Sequence, residues 1–74
     1  MSVSTSRILD VIAAGCQAYH AAGTEGIARA FGFFNEREVL AFDLFLVRMG
    51  DDLAHMSESP LERFTARVKR MVEA

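Results

Sequence analysis

Two groups of side chains in this 74-residue chain have the types and spacing that metal or catalytic chemistry requires. Cys16 and His20 stand four apart, so on a helix both could reach a single ion, and Asp51, Asp52 and His55 form a second group at ligand-compatible spacing. The paired CxxC or HExxH spacing that makes such a signal specific is missing, and a lone cysteine commonly packs as a small hydrophobe. The expectation is therefore no metal and no cofactor, with Cys16 in the core and the two histidines at the surface or in local hydrogen bonds. Catalysis needs a nucleophile beside a base, or paired acids in a pocket that excludes water. The titratable residues here fall mainly on predicted exposed faces. Asp43 is the exception, an acid enclosed in sequence by Phe42, Leu44, Phe45 and Leu46. It projects from a narrow polar strip shared with Glu36, which reads as a surface salt bridge, so no enzyme is expected.

The elements that position these residues all read as helices. The most apolar and most sharply bounded stretch is Glu36 to Met56. Asn35 can cap its first amides, Glu38 completes a capping box, and Phe34 can staple onto Val39. At 100° per residue, Val39, Phe42, Leu46, Met49, Leu53 and Met56 form one continuous seam, and Leu40, Leu44 and Val47 form a second on another face. One face is expected to meet the rest of the chain and the other a second molecule. Gly50 is the weak point, costing about 1 kcal/mol relative to alanine inside a helix. The continuing seam favours a helix through it; the other reading makes Gly50 a C′ residue, with Asp51 starting a new segment.

Ahead of this stretch, Ser4, Thr5 or Ser6 can cap a first helix running to about Ala22. Its apolar stripe is Ile8, Ile12, Cys16 and Tyr19, joined by Leu9 and Gly15. Gly23 is placed to end it in a left-handed turn. Thr24 can then cap a short helix over Glu25 to Phe31, closed by Gly32. Phe31, Phe33 and Phe34 crowd the next turn, as a keystone of the core or as a binding hot spot. Ser59, Pro60 and Glu62 supply cap, first-position proline and capping-box acid for the last helix, whose buried stripe is Leu61, Phe64, Val68, Met71 and Val72. Arg63, Arg67 and Arg70 are expected on its opposite face. No segment alternates as a strand does. The fold class is all-α: a compact, single-domain bundle of about four helices, spanning 1–74, around a central apolar helix at about 36–56.

Composition narrows the function. Hydrophobic residues make up 51% of the chain and charged residues 24%, which is globular rather than disordered and more apolar than one small core needs. One cysteine permits no internal disulfide, and no apolar run approaches membrane-spanning length, so a cytoplasmic protein is expected. Net charge is −2, with six acids against two bases over residues 35–58 and four bases against two acids over 59–74. An acidic recognition helix would repel phosphate, so nucleic acid is not the expected partner, and packing on the central helix explains the apolar stripe of the last helix more simply than a membrane surface does.

What remains is protein binding. The expected interface is Phe33, Phe34, Leu40, Leu44, Phe45 and Val47, with Glu36, Glu38, Asp43, Asp51 and Asp52 as acidic contacts, made either to a second copy or to a different protein. Small acidic chains of this class serve as inhibitors, antitoxins, adaptors or phage-encoded blockers such as anti-CRISPR proteins, a likeness of size and class carried by no motif. The alternative is a homodimeric regulator that contacts nucleic acid through Arg63, Arg67 and Arg70.

Overall fold

The computed structural model describes residues 3–51 and 59–73. Three helices appear there, α1 (Thr5–Phe31), α2 (Glu36–Arg48) and α3 (Pro60–Glu73), and no strand among the described residues. The all-α class stands, while the expected count of four becomes three. The difference lies at Ala22 and Gly23, where the sequence predicts the end of the first helix: both leave helical geometry, and Thr5–Phe31 counts as one element only across that kink. Gly23 takes the positive φ expected of it, 63°, but its ψ of −144° is not that of a left-handed turn. The break is sharp. A Cβ added at Gly26 would lie 2.1 Å from the carbonyl oxygen of Ala18, whereas residues eight apart on a straight helix are separated by about 12 Å along its axis. Only glycine permits that approach.

The starts of the helices follow local chemistry. The Ser4 hydroxyl accepts from the Arg7 amide at 3.2 Å, which resolves the choice among three candidate caps. At α2, the Glu38 amide donates to Asn35 Oδ1 at 2.8 Å and the Asn35 amide donates to Glu38 Oε1 at 3.1 Å, closing the capping box. At α3, Ser59 Oγ accepts from the Glu62 amide at 3.3 Å, ahead of Pro60 at the first helical position.

The end of α2 corrects the continuous-helix expectation. Gly50 has φ 93°, its amide donates to the Val47 carbonyl, and the Asp51 amide reaches back to the Leu46 carbonyl at 2.9 Å. This is a Schellman termination with Gly50 as the C′ residue. Gly50 therefore stops the helix, and the remaining seam residues, Leu53 and Met56, lie outside the described residues.

The core is Val11, Ile27, Phe42, Leu46, Phe64 and Val68. Phe64 is its hub, with the rings of Phe31, Phe34 and Phe42 at centroid distances of 5.6, 5.7 and 5.5 Å. Gly15 is buried beneath it, and a Cβ there would meet Val68 Cγ2 at 2.8 Å and Phe64 Cζ at 3.1 Å. The absence of a side chain at Gly15 thus lets α3 lie close on α1. That α1–α3 contact is the most extensive in the molecule, α1–α2 comes second, and α2 touches α3 least. The two arms of α1, on either side of its break, therefore carry most of the packing between helices, and the expected central role of α2 is corrected. An apolar stretch with two faces does not by itself fix which helix has neighbours on both sides. Burial here is shared by all three helices.

Candidate functional site

On α2 the two seams separate. Val39, Phe42 and Leu46 are buried against the core, whereas Leu40, Leu44 and Val47 remain 56%, 52% and 47% exposed. Met49, expected in the inner seam, is exposed, because the chain leaves helical geometry at that residue. Of the phenylalanine turn, Phe31 and Phe34 lean on Phe64 and only Phe33 projects, at 82% exposure. Phe45 is half-buried and packs against the core. The outer surface of α2 is thus an apolar stripe made by Leu40, Leu44 and Val47, with Phe33 set apart at the helix entrance.

Depressions lie on both sides of that stripe. One, of about 390 Å³, runs between residues 3–8 and α2. Val3, Ile8, Ala41, Leu44 and Phe45 line it, together with Arg37 and Arg48. The other, of about 400 Å³, lies towards α3, where Phe31, Phe34, Val39, Pro60 and Leu61 meet Arg63. Leu40 belongs to both.

The acids expected to contact a partner are largely committed inside the molecule. Asp43 is buried rather than at the surface. Its Oδ2 accepts from Arg63 Nε at 3.1 Å, and its Oδ1 lies 3.1 Å from Arg67 Nε without the alignment of a hydrogen bond. Asp51 Oδ2 accepts from Arg67 Nη1 at 2.9 Å, and its Oδ1 is 3.5 Å from Arg70 Nη1. Glu38, besides capping α2, pairs with Arg7, whose guanidinium also lies over the Phe34 ring at 5.7 Å. The Arg7 hydrogen bond, and after it the Asn35 amide, holds the Glu38 carboxyl below its ordinary value. Glu36 alone of the expected acids in the described residues is exposed, and Asp52 lies outside them.

The same network corrects the arginine face. Arg67 is 1% exposed, with Nη2 buried and lacking a hydrogen-bond partner, and Arg63 is mostly covered; only Arg70 reaches well into solvent. Asp43 and Asp51 draw these arginines inwards, so Arg63, Arg67 and Arg70 do not form the solvent-facing stripe that phosphate binding needs. A pattern built on apolar residues alone assigns every arginine to the outside.

Cys16 is half-buried, and burial pushes its thiol up, away from the reactive thiolate. Among the described residues no three His, Cys, Asp or Glu side chains gather as metal ligands, and His55 lies outside them. No described helix is long and apolar enough to cross a membrane. Comparison with protein-family models, curated proteins and solved structures finds no match.

Proposed function

We propose that this chain is a small non-enzymatic docking module, an inhibitor, antitoxin or adaptor in type, that binds a protein through the outer face of α2. One observation carries the reading: three large aliphatic side chains, Leu40, Leu44 and Val47, stand about half exposed on the same helix whose other face is almost fully buried. Exposed aliphatic side chains in a row, bordered by apolar depressions, are a feature of surfaces that another protein covers. Of the acids first expected at this surface, Glu38, Asp43 and Asp51 serve the fold, which leaves Glu36 among the described residues. A photo-reactive side chain at position 44, in the cells that make the protein, tests the reading against the same probe at exposed Ala28 on α1. The expected result is a discrete protein adduct from 44 that is absent from 28, at twice the chain mass for self-association or at another mass for a foreign partner. No adduct, or the same adducts from both positions, contradicts it.

A further inference from the structure

Resting on that reading, we infer that the occupant of the α2 face is an amphipathic helix of another protein, whose apolar stripe is edged by carboxylates that pair with Arg37 and Arg48. Both arginines line the depression beside Leu40 and Leu44, both are exposed, and neither has an ion pair with any described residue. This sets them apart from Arg7, Arg63, Arg67 and Arg70, each held by an acid of the same chain. Eleven residues separate them, which is about 16 Å along the helix, or three turns. On the helical wheel they fall on the same flank of the Leu40, Leu44 and Val47 stripe, with Glu36 on the opposite flank.

That asymmetry distinguishes the possible occupants. In an antiparallel pairing of α2 with a second copy, equal flanks meet, which places Arg37 beside the Arg48 of the second copy, a like-charge contact. In a parallel pairing Arg37 can reach the second copy's Glu36, but the acid that faces Arg48 in that register, Asp43, is buried and already committed to Arg63 and Arg67. With the acids of the described residues, neither arrangement satisfies both arginines. Nucleic acid would satisfy them but would leave the leucine and valine side chains against phosphate and sugar, unpaired with apolar surface. A helix with apolar residues at i, i+4 and i+7, and Asp or Glu along one edge about eleven residues apart, fits the stripe and both cations together.

The test uses a display library of helical peptides, about 16 residues long so that a little over four turns span both arginines, with leucine fixed at i, i+4 and i+7 and the edge positions randomised. Selection against the parent chain is expected to enrich Asp and Glu at the edge. Selected peptides should bind the Arg37→Glu/Arg48→Glu double variant about tenfold more weakly or worse, and a peptide with lysine at those edge positions should recover binding to that variant. Two outcomes overturn the inference while leaving the docking face intact: peptides that lose binding to Leu44→Glu without any acidic bias, or a chain that dimerises in light scattering and is split by Leu44→Glu. A third outcome, no peptide that distinguishes the parent from a folded Leu44→Glu variant, overturns both the inference and the docking face on which it rests.

Discussion

Arg67 shows how a single side chain can hold two helices together where apolar contact is thin. Its guanidinium spans Asp43, inside α2, and Asp51, just past the Schellman turn, and so fastens α3 to α2. Removing one partner of a buried pair strands the other charge, which costs about 3 to 5 kcal/mol. In Arg67→Ala, Asp43 keeps Arg63 and Asp51 keeps Arg70, so the loss in urea denaturation is expected to stay below that, at about 1 to 3 kcal/mol. Glu38 makes a pH prediction. Its folded-state carboxyl lies below the ordinary value of 4.5, so its contribution is fully present above that value and is lost as pH falls through the depressed one. Urea midpoints measured from neutral pH down through the carboxylate range should fall less steeply for Glu38→Gln than for the parent, because that variant carries no titrating group there.

At the scale of elements, the helix starts were legible in the sequence because each is written in a few adjacent residues. Ser59-Pro60 and the Asn35/Glu38 box satisfy free amides locally, whatever the remainder of the chain does. Asn35→Ala should accordingly cost about 1 kcal/mol, read from the shift in the thermal midpoint. The outer stripe on α2 was legible as well, since Leu40, Leu44 and Val47 could not share a face with Val39, Phe42 and Leu46. What the sequence could not supply were features created by distant approach. The bend in α1 brings Gly26 onto Ala18, and the closeness of α3 depends on Gly15. Neither glycine carries a local signal of that role. Gly26→Ala is expected to be the worse of the two, because the obstacle is fixed backbone rather than a rotatable side chain. Gly15→Ala should cost about 1 to 3 kcal/mol as Val68 and Phe64 shift. Denaturation curves for both variants check the order. The inward turn of the arginines was equally hidden, because charge pairing between helices leaves no periodic trace in either helix.

Considered whole, the molecule divides its apolar residues between a core knit by Phe64 and a surface stripe the core does not use. A chain this small buries only about 60% of its unfolded surface, so one core cannot take up every aliphatic side chain. The proposed docking face requires Leu40, Leu44 and Val47 to be spare, and the most direct measurement compares Leu44→Glu with Phe42→Ala by urea denaturation in dilute solution. Phe42 is fully buried two residues from Leu44 on the same helix, so local sequence and helix propensity are closely matched. The predicted result is a folded Leu44→Glu with stability within about 0.5 kcal/mol of the parent, as surface substitutions show, against a loss of about 3 to 5 kcal/mol for Phe42→Ala. If Leu44→Glu unfolds as Phe42→Ala does, the outer stripe belongs to the core and α2 has no face to offer a partner.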